Sequence, residues 1–507
     1  MTGLVADQKK LIHGRWLVED WRKTPIENGA LCEEAGRVVE IGAYDVLRGR
    51  YPDAASIGHR DHVVIPGFVN AHSHGRGFTT YQMGQPDEPL EMRVIEMATR
   101  PEWGAPSPGS ATTSSYDPYR DTLYACLKQI AAGITSTLHS HIYFGGPVEP
   151  YARLTREVLR AYRDSGLRCA FALGVRDRYS FTFMDDREFV KLLPDELRVA
   201  SGIRPISCDM GFGEFRALLA TLAGEYPEVR FQLGPWNPVW CSDRLLEQIA
   251  DASARDGWRI HTHLSETRYQ AGYAHRTYGK SWVGRLSELG MLSERFSGAH
   301  AIWVDAADLD LIKRSGAQVV HNPSSNLRLG SGVAPLRAFL ERDIPVAFGL
   351  DSLSMNDDED MFQDLRLGQV VQNQPGVDMQ SLAATTMFAM ATSAGAIVTG
   401  IEGTGSLAPG NVADAVLVSM PDVAGGHANQ PLADLMLRRA KAAHVRTVII
   451  GGKVVLDEGR FVGWDPQALR AQLVASMGAA SSGRPPYVSQ VKQVVRDVLK
   501  SYDRNPS

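Results

Sequence analysis

The middle of the chain alternates short apolar runs with longer segments whose apolar residues recur every three or four positions. Such runs are typical of buried strands and such segments of amphipathic helices. Strands that alternate with helices build a parallel sheet, and eight of them predict a TIM (β/α)8 barrel of the α/β class. Between residues 66 and 400 we count eight candidate strands, namely FVNAH (68–72), GITSTLHSH (133–141), CAFALGV (169–175), RFQLGP (230–235), WRIHTH (258–263), FSGAH (296–300), AQVVHN (317–322) and PVAFGLD (345–351).

Amphipathic segments separate these strands. One runs from Asp121 to Ala132 and is ended by Gly133, and another runs from Leu336 to Arg342, before Pro345. Glycine and proline are typical helix terminators, so both segments are predicted helices. Residues 465–507 form a C-terminal helical extension in which LRAQLVASM and VKQVVRDVLK show helical spacing. We expect it to pack outside the barrel or to serve a subunit contact.

Both ends of the chain differ from its middle. The first 64 residues contain short strand-like runs separated by turn signals such as Asn28-Gly29 and Ala35-Gly36, and a similar pattern returns at residues 411–463. Turn residues between β-prone runs are typical of antiparallel strands. We therefore expect residues 1–65 and 401–464 to form one small discontinuous β-sandwich domain, with the barrel at 66–400.

Composition limits the function classes. The 507 residues are 44% hydrophobic and 22% charged, with a formal net charge of −5, which favours a soluble globular protein without a nucleic-acid or membrane partner. The five cysteines lack CxxC spacing, and no apolar run reaches the roughly 18 residues of a membrane span. These features predict a cytoplasmic location.

Histidine or aspartate ends most of the predicted strands. An HxH pair alone would also suit two polar residues of a half-buried strand, but the chain has only 14 histidines and places them repeatedly at strand ends. In a TIM barrel these ends meet at the face that carries the active site. Imidazole and carboxylate groups together are typical ligands of catalytic zinc. The residues concerned are His72 and His74 after strand one, His263 after strand five, His300 after strand six, His321 after strand seven and Asp351 after strand eight.

Several motifs of this chain resemble those of the amidohydrolase superfamily, in the group that contains atrazine and triazine hydrolases, S-adenosylhomocysteine deaminases and guanine deaminases. The resemblance covers most of the chain and implies the same barrel with a β domain from both ends. The motifs are PGFVNAHSH (66–74), HTHLSE (261–266), GAHAIWVD (298–305), HNPSSNLRL (321–329), GLDS (349–352), DMFQDLRL (360–367), GSLAPGNVADAVLV (405–418) and VIIGGKVV (448–455).

By this resemblance the metal ligands are His72, His74, His263 and Asp351. Superfamily members with two metals bring a carboxylated lysine from strand four, whereas this strand runs into Pro235, Trp236 and Asn237. We therefore expect one divalent metal ion per subunit, Zn²⁺ with Fe²⁺ as the alternative.

The resemblance also implies catalytic roles for Glu266, His300 and Asp351. A metal lowers the pKa of bound water toward about 7, and Glu266 is expected to accept the proton and pass it to the leaving group, with Asp351 assisting. His300 is expected to orient the nucleophile or to polarise the electrophilic carbon.

The predicted reaction is hydrolytic deamination of a small nitrogen heterocycle at a carbon-nitrogen bond that is not a peptide bond. Alternatives are amide, urea or ring C–N hydrolysis, dechlorination within the same superfamily, and a ligand-binding barrel without catalysis. Candidate substrate contacts are His321, Asn326, His141 and Trp236. We expect a homodimer or a homotetramer.

Three further features of the sequence carry predictions. His261 shares a face with His263 one layer deeper and is interpreted as a hydrogen-bonded core histidine. The connection after strand three, placed between Arg153 and Pro205, is expected to cover the site with Tyr179 and Phe181. The DDED run at 357–360 is interpreted as a helix N-terminus rather than a second metal site, and residues 104–115 form an unusual loop of small residues.

Overall fold

The computed structural model describes residues 8–79, 81–82, 84, 86–99, 117–143, 145–178, 182–201, 203, 205, 209–351, 358–424, 430–477 and 486–504. The strands in these residues are β1 (Lys10–Leu17), β2 (Ile26–Glu27), β3 (Gly29–Glu34), β4 (Arg37–Ala43), β5 (Ala55–Pro66), β6 (Phe68–Ser73), β7 (Ile134–Ser140), β8 (Arg168–Val175), β9 (Arg230–Pro235), β10 (Ile260–Leu264), β11 (Phe296–His300), β12 (Gln318–His321), β13 (Val346–Phe348), β14 (Ala415–Ser419), β15 (Val445–Ile450), β16 (Lys453–Asp457) and β17 (Arg460–Phe461).

The helices in the same residues are α1 (Tyr44–Arg50), α2 (Leu90–Thr99), α3 (Pro118–Ala131), α4 (Val148–Ser165), α5 (Asp186–Leu192), α6 (Asp195–Ser201), α7 (Phe212–Glu225), α8 (Asp243–Asp256), α9 (Arg268–Tyr278), α10 (Trp282–Glu288), α11 (Ala306–Ser315), α12 (Pro323–Arg328), α13 (Leu336–Glu341), α14 (Met361–Val370), α15 (Ala384–Met390), α16 (Ser393–Thr399), α17 (Met420–Ala424), α18 (Leu432–Arg439), α19 (Pro466–Met477) and α20 (Pro486–Arg504). Among the helices of the described ranges, none is both long and apolar enough to cross a membrane.

Strands β6 to β13 form the predicted parallel barrel. They lie side by side in chain order, and a parallel bridge between Ser73 and Asp351 joins the last strand to the first. At this seam the Asp351 N–H donates to the main-chain oxygen of His72 at 2.9 Å. Closure of the barrel therefore brings the ends of strands one and eight into contact, although 279 positions separate these two residues in the chain.

The remaining nine strands come from both ends of the chain and form a second sheet in the order β17-β16-β15-β14-β5-β1-β3-β4, with β2 paired to β1. Antiparallel pairing of β14 with β5 joins the C-terminal strands to the N-terminal ones. An ion pair links this sheet to the barrel, because Arg168 of β8 donates to Asp414 at 2.7 Å. The predicted α/β barrel with a β domain from both chain ends is confirmed, whereas the exact domain boundaries stay a prediction.

Helix ends follow local sequence signals. Ser242 caps α8 by accepting from the Leu245 N–H, and Gly257 ends the same helix with a φ of 76°. A serine hydroxyl satisfies a free N–H of the first turn, and glycine adopts the left-handed region without a side-chain clash. The predicted helices around 121–132, 336–342 and in the C-terminal extension are confirmed as α3, α13, α19 and α20.

Six of the eight barrel strands contribute buried, mostly small apolar residues to one core cluster, and Val398 of α16 belongs to the same cluster. Gln232, near the start of β9, donates to the main-chain oxygens of Val398 and Thr399 at 3.1 Å. Helix α16 therefore closes the end of the barrel where the strands begin. The opposite end, where the strands finish, is the face at which TIM barrels carry their active sites.

Candidate active site

Three histidines and one aspartate converge where the barrel strands end. The Nε2 atoms of His74 and His263 lie 3.3 Å apart. Asp351 Oδ1 lies 3.4 Å from His72 Nε2 and 3.1 Å from His74 Nε2. The four residues that the sequence suggests as metal ligands therefore direct their terminal atoms to one small volume.

Main-chain carbonyls orient two of these imidazoles. His74 Nδ1 is 2.8 Å from the oxygen of Ser140, and His263 Nδ1 is 2.6 Å from the oxygen of Trp236. A carbonyl oxygen only accepts, so Nδ1 donates in both rings and Nε2 keeps the lone pair that a metal needs. The ring orientation is therefore set before any ligand binds.

His72 is oriented by a side chain instead. Its Nδ1 lies 2.7 Å from His261 Nε2, and His261 Nδ1 lies 2.8 Å from Ser297 Oγ. The sequence interpretation of His261 as a buried, hydrogen-bonded histidine is confirmed. Its partner, however, is one of the convergent histidines rather than the general core.

Charge at the site is concentrated on Asp351. Burial alone would raise the pKa of this carboxyl, but the neighbouring His72 and His74 hold the pKa well below its usual value. Burial lowers the pKa of His72 to about 4 and holds that of His263 well below its ordinary value. Burial acts to lower the pKa of His74 too, but the Asp351 carboxylate raises it above its ordinary value. Metal binding requires an ionised carboxylate and neutral imidazoles, so a proton on His74 would be released when a metal binds.

Several buried atoms around this volume have no hydrogen-bond partner among the described residues, namely His72 Nε2, His300 Nε2 and Asp351 Oδ1. Orphaned buried polar atoms are rare in folded proteins. The ligand atoms of His72, His74 and Asp351 lie within 4.8 Å of one another, and so do those of His72, His263 and His300. Since both groups share His72, the donor set fits one divalent cation, with His300 at its edge.

Glu266 and His300 lie beside this set. The distance from His300 Nε2 to Glu266 Oε1 is 3.9 Å, and His300 Nδ1 lies 2.8 Å from Asn326 Oδ1. Burial raises the pKa of Glu266, and the nearby His300 opposes the rise. A buried carboxyl with a raised pKa is suited to taking up and returning a proton near neutral pH.

The backbone is strained where these side chains emerge. Ser265, His300, Ala301 and Asp351 have positive φ angles of 44°, 73°, 45° and 67°. Non-glycine residues rarely occupy this region, and each such position costs on the order of 1–3 kcal/mol. These backbone conformations turn the chain where the strands end. There Asp351 Oδ1 lies 3.4 Å from His72 Nε2, and the ring centroids of His300 and His72 lie 5.4 Å apart.

Two of the four candidate substrate contacts form hydrogen bonds with other side chains of the protein. Asn326 Oδ1 accepts from His300. The His141 side chain is buried and bonds to His139 at 3.2 Å and to Thr155 Oγ1 at 3.1 Å. These hydrogen bonds favour a structural role for His141.

The other two candidates are placed differently. The Trp236 ring stacks on Trp240 with ring centroids 4.7 Å apart, and its centroid is 6.1 Å from that of His74. His321 is buried, and neither of its ring nitrogens has a hydrogen-bond partner in the described part of the chain. Contact of either residue with substrate stays a prediction.

A second buried carboxyl lies close to Glu266 and was missed by the sequence reasoning. Glu91 of α2 accepts a hydrogen bond at 2.6 Å from the hydroxyl of Thr267, the residue that follows Glu266. Burial raises the pKa of Glu91 to about 7. Its carboxyl lines a small cavity together with Phe183 and Trp240. A single glutamate in a helical segment carries no motif, so no sequence signal pointed to it.

Some loop predictions fall outside the described residues, namely those on Tyr179, Phe181 and the 104–115 loop. The start of the covering connection at Arg153 was wrong, because that residue lies in α4, before β8. Within the DDED run, Asp360 caps α14 by accepting from the Gln363 N–H at 3.2 Å, so this part of the run is the predicted helix N-terminus.

The model of the amidohydrolase family matches residues 63–455, and the chain belongs to that family. It is therefore an enzyme of the hydrolase class, and the resemblance seen in its motifs is confirmed.

Relatives from archaea and bacteria match along most of the chain. A 5'-deoxyadenosine deaminase of Methanothermobacter thermautotrophicus is 30% identical over 400 residues, which cover 78% of this chain and 82% of that protein. A 5-methylthioadenosine/S-adenosylhomocysteine deaminase of Syntrophomonas wolfei is 28% identical, covering 88% of this chain and 93% of that protein. Among solved structures, a zinc-bound adenosine deaminase of Xanthomonas campestris superposes with a TM-score of 0.74 at 22% identity, covering 97% of this chain and 99% of that one.

Proposed function

We propose that this protein is a metal-dependent aminohydrolase that releases ammonia from an amino-substituted nitrogen heterocycle, with a purine nucleoside as the leading substrate class. The observation that carries the proposal is a buried carboxyl of raised pKa, Glu266, beside four convergent metal-type donors. The names of the curated relatives support the substrate class, because those proteins deaminate adenine-containing nucleosides.

His72, His74, His263 and Asp351 would hold one divalent metal ion, for which three imidazole nitrogens and a carboxylate oxygen are a suitable donor set. A metal in this position supplies a water of lowered pKa as the nucleophile. We propose Zn²⁺ and keep Fe²⁺ as the alternative, since ligand type alone does not separate the two.

Glu266 moves the protons. Its carboxylate takes a proton from the attacking water and returns it to the departing amino nitrogen, so that the C–N bond breaks with ammonia as the leaving group. The water oxygen stays on the ring carbon and its second proton passes to the adjacent ring nitrogen, so the product carries a carbonyl where the amine stood. The raised pKa of Glu266 brings proton uptake and release closer to balance near neutral pH.

His300 orients the nucleophile. Because its Nδ1 donates to Asn326 Oδ1, a neutral ring offers Nε2 as an acceptor. That atom is 3.9 Å from Glu266 Oε1, so one water hydrogen can point to His300 while the other points to Glu266. This arrangement favours the orienting role of His300 over polarisation of the substrate carbon, which would require a donor at Nε2.

The test is an ammonia-release screen on metal-loaded protein of known metal content. The panel contains adenosine, 5'-deoxyadenosine, 5'-methylthioadenosine and S-adenosylhomocysteine, together with aminopyrimidines, pterins and triazines. We expect ammonia to form in equal amount to the oxo product for at least one adenine nucleoside. Chloride release from a chlorotriazine, or opening of an amide or ring bond without ammonia, would contradict deamination while leaving a hydrolase.

Oligomeric state, partner and location are also part of the proposal. We propose a homodimer or a homotetramer, a small-molecule substrate as the main partner, and a cytoplasmic location. The last rests on the cysteine pattern, because Cys32, Cys126, Cys169 and Cys241 are free and buried thiols.

A further inference from the structure

Of the three convergent histidines, His72 alone has a side chain as the hydrogen-bond partner of its Nδ1. Its partner His261 is bonded onward to Ser297 at 2.8 Å, and Ser297 Oγ lies 3.2 Å from the main-chain oxygen of Ile260. His261 and Ser297 are direct neighbours in the ladder between β10 and β11, so strand register sets their contact. His72, His261 and Ser297 are all fully or almost fully buried.

The far end of this chain of bonds sets its direction. The Ile260 oxygen only accepts, so the Ser297 hydroxyl donates to it and uses a lone pair to accept from His261 Nδ1–H. With its hydrogen on Nδ1, the neutral His261 ring can only accept at Nε2. His72 must then donate through Nδ1, and its Nε2 is left with a free lone pair.

We infer that His261 and Ser297 are positioning residues that hold His72 in the tautomer whose Nε2 can bind a metal. The inference rests on the proposed metal site. His74 and His263 obtain the same tautomer from main-chain carbonyls, which no substitution removes. His72 depends on two replaceable side chains, so the donor set can be altered at one position without touching a ligand.

A purely structural role for His261 predicts a different behaviour. Loss of a buried imidazole would then lower stability equally with and without metal. A positioning role predicts weaker metal binding in addition, by roughly 10–100-fold, which is the usual effect of removing the partner of a ligating histidine. The two roles separate when metal affinity and melting temperature are measured on the same variants.

The experiment compares His261→Phe, His261→Gln and Ser297→Ala with the unaltered chain. Phenylalanine keeps a ring but offers no acceptor, whereas the glutamine amide oxygen can accept from His72 and should recover most of the affinity. Zn²⁺ affinity is measured by competition with a chelator of known strength. The Zn²⁺-induced rise in melting temperature provides a second readout, since a ligand stabilises the fold according to its affinity.

His139→Phe is the matched control. His139 is a buried histidine of β7 that bonds to Tyr162 and His141. Its replacement should lower the melting temperature of the apoprotein while leaving the Zn²⁺-induced rise unchanged.

We expect His261→Phe to bind Zn²⁺ at least tenfold more weakly than the unaltered chain, with Ser297→Ala in between. Unchanged affinity in both variants, or an equal loss in His139→Phe, would overturn the inference. If His261→Phe does not fold, the Zn²⁺ affinities of Ser297→Ala and His261→Gln are compared with those of the unaltered chain and of His139→Phe instead. Failure of the unaltered protein to bind any divalent metal would instead refute the proposed function.

Discussion

Ser325 donates a hydrogen bond from its hydroxyl to Asp351 Oδ2 at 2.5 Å. The next residue, Asn326, accepts from His300 Nδ1 at 2.8 Å. Two successive side chains of the short helix α12 thus hold a proposed metal ligand and a proposed catalytic histidine. The helix therefore connects the proposed metal site to the proposed catalytic histidine.

Replacement of Ser325 by alanine should weaken metal binding about tenfold, because Asp351 loses the donor that orients its carboxylate. The measurement is Zn²⁺ affinity by chelator competition. Ser331→Ala is the control, since the Ser331 hydroxyl is buried but has no hydrogen-bond partner among the described residues. Equal affinities in the two variants would show that Ser325 does not orient the ligand.

Glu266→Gln should retain its metal and lose turnover. Glutamine preserves size but cannot gain and lose a proton, so kcat should fall by on the order of 10² to 10⁴ while substrate binding persists. Metal content and steady-state kinetics are measured on one preparation. A variant without metal would make Glu266 a ligand or a structural residue, and near-normal kcat would move the proton transfer to Asp351 or His300.

One equivalent of metal per subunit should accompany full activity, because the convergent donors fit a single cation. Complete chelation should abolish activity, and one equivalent of Zn²⁺ should restore it. Elemental analysis during the titration supplies the stoichiometry. A requirement for two equivalents, or full activity of the metal-free protein, would contradict the mononuclear site.

Glu91 should make stability depend on pH. Burial raises the pKa of this carboxyl from an ordinary value of 4.5 to about 7, so between these pH values the folded state binds more protons than the unfolded state. Stability must then fall as pH rises through this window. Glu91→Gln keeps an acceptor for Thr267 and removes the titration, so it should be more stable than the unaltered protein at pH 8, by up to about 3 kcal/mol.

Chemical unfolding at pH 5 and pH 8 measures this difference. The gain should be smaller at pH 5, where much of the Glu91 side chain is protonated in the folded state. Glu188→Gln, at an exposed position of α5, serves as the control. A pH-independent difference between Glu91→Gln and the unaltered protein would show that Glu91 does not titrate in this range.

The C-terminal extension should stabilise the barrel within its own chain. Lys492 of α20 is buried and forms an ion pair with Glu88, just before α2, and Tyr502 donates to the main-chain oxygen of Thr182 at 3.1 Å. Glu88→Ala should lower the free energy of unfolding by about 1–3 kcal/mol, because the buried ammonium of Lys492 loses this ion pair. Adding Lys492→Met should recover part of this loss, and unfolding curves of both variants test the coupling.

The sequence alone predicted the barrel and the positions of the convergent donors. An apolar run that ends in histidine or aspartate marks both a buried strand and the residue at its end, and barrel topology places all such ends on one face. Strand β13 spans Val346–Phe348 within the run predicted at 345–351. Strand periodicity and strand order were enough to group His72, His74, His263, His300, His321 and Asp351 at one face. The family resemblance was needed to single out His72, His74, His263 and Asp351 as the expected metal ligands.

Only the tertiary structure decided which residues support these donors. Glu91 and Thr267 are 176 positions apart, and their contact depends on how α2 packs over the barrel. The bond between His261 and Ser297 depends on the register of β10 against β11. Periodicity tells which face of a strand or helix is buried, but it carries no information on which residue of another element will lie opposite. That choice is made by packing and register, and it determines the tautomers, the pKa values and the strained backbone on which the proposed chemistry depends.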